Sequence, residues 1–276
     1  MKKLIIAFAL LLGLMPRGAF AGEAPGNAPV DFASSAWAES VIKRGVLRVG
    51  LDTFVPWAMR DKAGKFIGFE VDIAEALARD MGVSVQYVPT AWNGIIPALL
   101  ANKFDVLIGG MTVTPERSEK VLFTDPYEYS GQSIAASTKI APGLSSVEDF
   151  NKKDISISVR MGTTAEVAAR SLFPNAVILP FGDEGQATQE LRNGKAHAFV
   201  SSAPLPAQLA AQHPDSVYLP ISGVLTKEPI GMALAPRNKD ALPVLNMWIK
   251  NRNDSRFLQE RWQYWFETMD WEKELQ

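Results

Sequence analysis

The chain has 276 residues, 47% of them hydrophobic and 21% charged, with a formal net charge of -2. It can build globular cores, and its charge gives no reason to expect nucleic acid or an anionic membrane as partner. It has no cysteine and two histidines, His197 and His213, which excludes disulfides, thiol catalysis and Cys-ligated metal and leaves little for a His-based metal site or triad.

The first residues read as a targeting segment. Lys2 and Lys3 form a positive start, Leu4 to Met15 an apolar stretch too short to span a bilayer, and Ala19-Phe20-Ala21 an A-x-A cleavage site. Arg17 is unusual so close to the cleavage site. The expectation is a signal peptide over residues 1–21, export to a Gram-negative periplasm, and a mature protein without a membrane span. Residues 22–35, rich in Ala, Pro, Gly and Ser, read as a flexible leader.

Ala36 to Lys43 is predicted helical, with Gly45 as its stop. Val46 to Leu51 is a first strand, running into the turn Asp52-Thr53-Phe54-Val55-Pro56-Trp57 with its two aromatics. Such aromatics cap a core more often than they wall a ligand site. Asp61 to Gly64 reads as a hairpin turn. Val71, Ala74, Leu77, Ala78 and Met81 recur at helical spacing, so Gly68 to Met81 is an amphipathic helix. Its early acids suit the helix dipole and read as a solvated face rather than a catalytic pair. Val83 to Val88 is a second strand, Trp92-Asn93-Gly94 a turn, and Ile95 to Ala101 a helix with Pro97 in its first turn.

Asp105 to Ile108 is a buried strand that delivers Gly109-Gly110-Met111-Thr112-Val113-Thr114-Pro115-Glu116-Arg117. The glycines allow close backbone approach, Thr114 caps a helix begun by Pro115, and Arg117 sits one short turn in. A guanidinium beside hydroxyls and free N–H groups suits a carboxylate, whose two oxygens match its fork. A plain strand-to-helix connection with a surface Arg reads the same way.

Gln132 to Ala136 is predicted as an extended crossover. A second α/β unit begins near Asp154. The strand Ile155–Val159 leads through Arg160-Met161-Gly162-Thr163-Thr164 into a helix, another hydroxyl-bearing helix start suited to an anion. Ala176 to Leu179 and Ala196 to Val200 are strands, with a helix over Glu184 to Asn193 between them. Leu205 to Gln212 is a helix, Val217 to Ile221 a strand, and Ile230 to Leu234 a strand returning to the first unit. Helices over Asp240–Lys250 and Arg256–Phe266 follow, and Trp262, Trp265 and Trp271 read as core anchors. The strand–helix alternation is that of parallel α/β sheets, whose ligands bind at the carboxyl ends of strands. The Phe54 loop, the Trp92 turn and the Gly109–Arg117 stretch all lie at such ends.

From about Val41 to Trp271 the chain resembles a family 3 extracellular solute-binding protein, the amino-acid-binding class serving ABC importers. The resemblance is carried by Gly68–Met81, Val106–Ser118 and Asp125-Pro126-Tyr127. It implies an α/β periplasmic-binding-protein fold of type II, two lobes joined by two crossover strands with the ligand cleft between. Lobe one would be residues 36–133 and 225–276, lobe two 134–224. It implies a small carboxylate ligand, an amino acid or a derivative, captured by hinge closure and delivered to an inner-membrane permease, with no cofactor or metal and a monomer as the expected state. By the same resemblance Arg117 grips the carboxylate, Gly110 and Thr112 contact the amino group or carboxylate, Thr164 completes the carboxylate site, and Phe54 and Trp92 sandwich the ligand. Trp57 shares the Phe54 loop and reads as structural.

One position departs from the family pattern. Where an Asp usually holds the α-ammonium, this chain has Ser202. Either Asp183, Glu184 or Glu128 supplies a carboxylate, or the ligand lacks a free α-ammonium, or the site is weak. Cyclohexadienyl dehydratases resemble these proteins as well. They retain the Asp and carry an acid a few residues later, whereas Ser202-Ala203-Pro204-Leu205 has none, so the binding reading leads. A binding protein serving a chemoreceptor is a third reading that sequence does not separate from transport.

Overall fold

A computed structural model describes residues 29–269 and 271–272; the expected signal peptide and the first half of the leader, residues 22–28, lie outside the described residues. Two five-stranded sheets each carry helices on both faces. Across the first sheet the strands run Ser84–Pro89, Val46–Leu51, Val106–Leu107, Ala233–Leu234, Leu122–Phe123. The first three are parallel, and Ala233–Leu234 is antiparallel to both its neighbours. Across the second they run Val177–Phe181, Ser156–Arg160, Ala198–Ser202, Gln132–Ser137, Val217–Tyr218, again parallel on one side and antiparallel on the other. This is the two-lobed α/β fold of type II periplasmic binding proteins.

The link between the lobes is a two-stranded antiparallel ribbon, Glu128–Ser130 with Glu228–Ile230, in which Glu228 lies opposite Ser130. The crossover therefore falls earlier than the sequence suggests. Gln132 to Ala136 belongs to a strand inside the second sheet, buried along its whole length. Gly131 sits between ribbon and sheet, and a Cβ there would lie 2.1 Å from the Thr226 carbonyl oxygen, so only glycine fits.

Each lobe has its own core. Leu47, Val49, Phe69, Ile73, Leu77, Trp248 and Trp265 pack together in the first, and Ile134, Phe150, Ile157, Phe173 and Val200 in the second. Both helices begun by the sequence signals form: Ala36–Arg44 ends at Gly45 in the left-handed conformation, and Phe69–Asp80 buries its apolar stripe. Val30 and Phe32, counted with the leader above, pack against the first core, and Phe32–Ser34 forms a short helical turn.

Three local readings need correction. The first two acids of Phe69–Asp80 do not form a solvated face. Glu70 is fully buried with the Tyr127 hydroxyl donating to it at 2.7 Å, and Asp72 accepts from the Trp265 indole at 2.7 Å. Trp92-Asn93-Gly94 is no turn, since the helix runs Trp92–Leu100 and places Pro97 in its interior. Periodicity cannot see a helix start that lacks a capping side chain, and Ala91 offers none. The predicted strand Ile230–Leu234 is broken between Ile230 and Ala233, because its halves serve the ribbon and the first sheet separately.

Candidate functional site

Local structure aims the key groups at the cleft. Thr114 caps the short helix Pro115–Ser118 by accepting from the Arg117 amide at 3.2 Å. This turns the Arg117 side chain back along its own loop, where it donates to the Thr112 carbonyl at 2.9 Å. Its other arm reaches the Gly162 carbonyl of the opposite lobe at 3.4 Å. Burial holds the Arg117 guanidinium below its ordinary pKa, and the charges of Glu228 and Glu116 work against that. Gly110 is left-handed with its Cα against the Trp57 ring, where a Cβ would lie 3.3 Å from the indole. Trp57 itself is buried in the core, stacked at 4° on Phe54, so it is structural and orients the Phe54 ring, which lines the cavity between the lobes.

Opposite, Thr163 caps the helix Thr164–Leu172 and leaves the Thr164 hydroxyl facing the first lobe. The Thr112 and Thr164 hydroxyls come within 3.3 Å of one another across the cleft. Both also donate to Glu228 on the ribbon, at 2.9 and 2.7 Å. Gln132 donates to Glu228 at 3.0 Å and lies 3.2 Å from the Ser202 hydroxyl. Glu228 thus ties both lobes to the hinge through one carboxylate.

Between the lobes a cavity of about 40 Å³ is lined by Phe54, Trp92, Gly110, Thr112, Thr164 and Ser202, together with Arg160, Glu184 and Ser201. Arg117 is not among these. It lines an adjoining cavity of about 720 Å³ that shares Trp92, Thr163 and Thr164 with the first. Six of the seven residues singled out by sequence therefore face one small space, with the seventh next to it.

The three acids proposed to replace the missing Asp separate cleanly. Asp183 caps the helix Glu184–Arg192 by accepting from the Gln186 amide. Glu128 lines a different groove, beside Asn253 and Trp262. Glu184 alone of the three lines the cleft cavity, accepting a hydrogen bond from the Ser201 hydroxyl. Burial raises its pKa, and Ser201 and the Arg160 charge partly offset this.

Sequence reasoning missed Arg160 and Glu228 as site residues. Arg160 had a signal, the one charged residue on a largely buried strand. Glu228 had none, because a Lys-Glu-Pro stretch reads as an ordinary loop until the ribbon folds it over the two threonines.

Two lobes on a two-stranded ribbon, with hydroxyls and a guanidinium converging from both sides on the space between them, define a cleft-binding protein. The chain belongs to the bacterial extracellular solute-binding proteins, family 3, whose model matches residues 47–268. It is 28% identical to the L-cystine-binding protein TcyJ of Escherichia coli (strain K12), over 86% of this chain and 88% of that one. It is 26% identical to the cyclohexadienyl dehydratase of Pseudomonas aeruginosa PAO1, over 83% and 85%. Among solved structures, a binding component of an ABC transporter from Wolinella succinogenes DSM 1740, complexed with lysine, is 37% identical, with a TM-score of 0.78 over 83% of this chain and 99% of that one.

Proposed function

We propose that this chain is a periplasmic solute-binding protein of an ABC importer that closes its lobes on an amino acid or amino-acid derivative and presents the closed form to an inner-membrane permease. The observation that carries the reading is the pairing of Thr112 with Thr164 across the cleft, 3.3 Å apart, beside the Arg117 guanidinium. Donors from both lobes that meet only when the lobes are together reward closure on an anionic group. Arg117 holds the carboxylate, with the two hydroxyls turning to it from Glu228; Phe54 and Trp92 flank the body of the ligand, and Glu184 supplies the negative partner that Ser202 lacks for an α-ammonium. Relatives named for amino-acid binding and transport support the class of ligand.

The test is thermal shift on protein unfolded and refolded to strip carried-over ligand, against the common L-amino acids and their deaminated and N-substituted relatives. A ligand at about a hundred times its Kd adds roughly 2.7 kcal/mol of stability, a shift of about 5–10 °C. Arg117→Ala is expected to remove the response while circular dichroism stays native. An undiminished response in that variant sinks the site assignment.

A second reading is favoured by one observation. Glu184 is an acid kept toward its protonated form inside the cleft, as dehydration of prephenate requires to protonate a leaving hydroxyl. One proton from such an acid would leave with the hydroxyl as water while carbon dioxide departs and phenylpyruvate forms. Incubation with prephenate, followed by phenylpyruvate absorbance, separates the readings: the transport reading expects no product.

A further inference from the structure

Arg160 ends the strand Ser156–Arg160 and is 5% exposed, yet its side chain enters the small cavity between the lobes. One arm of its guanidinium pairs with Asp52 of the opposite lobe. Its Nε, buried as well, has no hydrogen-bond partner among the described residues. A latch between lobes would need only the pair with Asp52. An unpaired buried donor is costly to leave unmade, so a guanidinium that lines the cavity with only Asp52 as partner calls for a further acceptor beside it.

The neighbourhood limits what that acceptor is. The charged groups facing Arg160 are Asp52 and Glu184. The Arg117 and Arg160 central carbons each lie 5.7 Å from the Trp92 ring centroid. The two forks are therefore within twice that distance of each other, inside the reach of two groups on one small molecule. A cationic side chain would compete with Arg160 for Asp52 and be repelled by it. A second carboxylate would meet the free edge of a planar fork, the geometry that Arg serves best.

Resting on the binding function proposed above, we infer that Arg160 is a specificity residue for a second acidic group on the ligand. The cleft takes a dicarboxylic amino acid, one carboxylate on Arg117 and the other on Arg160. The second carboxylate belongs either to the side chain or to a substituent on the α-nitrogen.

The experiment is isothermal calorimetry on refolded protein with L-glutamate and L-aspartate for the first source and N-(1-carboxyethyl)-L-alanine for the second. L-Glutamine and L-lysine serve as neutral and cationic comparisons. At least one dicarboxylate is expected to bind at least tenfold more tightly than both comparisons. Arg160→Met should lower that affinity at least tenfold and narrow its margin over glutamine. Arg160→Lys, which keeps the charge without the fork, should recover part of it and guards against a merely misfolded Met variant. Dicarboxylate affinity unchanged in Arg160→Met overturns the inference, as does a wild-type protein that answers neither class of dicarboxylate. Binding of glutamine or lysine that is lost in Arg117→Ala but unmoved in Arg160→Met overturns it while leaving the binding function standing. Loss of every response, with turnover of prephenate, overturns both.

Discussion

Glu70 and Glu184 are both inward-turned carboxyls held by a single hydroxyl, and burial lifts the pKa of each. Their surroundings differ. Glu70 starts the helix Phe69–Asp80, is entirely inaccessible, and meets the Tyr127 hydroxyl under the first core; burial pushes it up to about 8 against the pull of Tyr127 and the Gly110 amide. Glu184 starts the helix Glu184–Arg192, is half-buried, and lines the cleft beside Arg160. A displaced pKa marks both acids alike, and only what each one faces separates a structural group from one that can meet a ligand.

Changing Glu70 should give the largest effect on stability. Its folded pKa of about 8 lies above the ordinary carboxylate value. The stability it contributes is therefore fully present below about pH 4.5 and is lost as pH rises through 8. The melting temperature of the wild type should fall between pH 5 and 9, with Glu70 contributing on the order of a few kcal/mol to that fall. Glu70→Gln should remove the largest part of this slope and leave ligand affinity within about threefold. An unchanged pH profile by differential scanning calorimetry would show that Glu70 titrates normally.

Glu184→Gln should show the opposite pattern. Affinity for an amino acid with a free α-ammonium is expected to fall roughly tenfold to hundredfold, about 1.4–2.8 kcal/mol, the scale of one charge-assisted hydrogen bond. Ligand-free stability at pH 7 should change by less than about 1 kcal/mol. Unchanged affinity by calorimetry would return the missing charge at Ser202 to the ligand, as one without a free α-ammonium.

Removing the hydroxyl that holds each acid sharpens the contrast most directly. Tyr127→Phe strands Glu70 away from water and should cost about 1–3 kcal/mol. Ser201→Ala removes the matching hydroxyl from Glu184, but a cleft-facing carboxyl can turn to water, so the cost should stay below about 1 kcal/mol. Equal costs in urea unfolding would mean that Glu184 is as sealed as Glu70.

Much of the fold was legible because periodicity and breakers are local. The stripe of Val71, Ala74 and Leu77, the stop at Gly45 and the Thr114–Pro115 helix start each act within one turn of chain. The helix Trp92–Leu100 was legible from Ile95 onward but its first turn was not, because no side chain caps it. Ser202 stood out against the family pattern, but the choice among Asp183, Glu184 and Glu128 did not. Asp183 and Glu184 are chain neighbours whose side chains serve a helix cap and a cavity respectively.

The amino-acid sequence by itself determined the strand–helix alternation, the family, and the hydroxyl-and-Arg loops that end two strands, since each is written in residues close along the chain. Only the tertiary structure decided which carboxylate reaches the cleft, that Glu228 gathers Thr112, Thr164 and Gln132 at the hinge, and that Arg160 meets Asp52. Those partners lie from 64 to 116 residues apart along the chain. No local pattern encodes the closure of such loops; it follows from two separate cores brought together by one short ribbon.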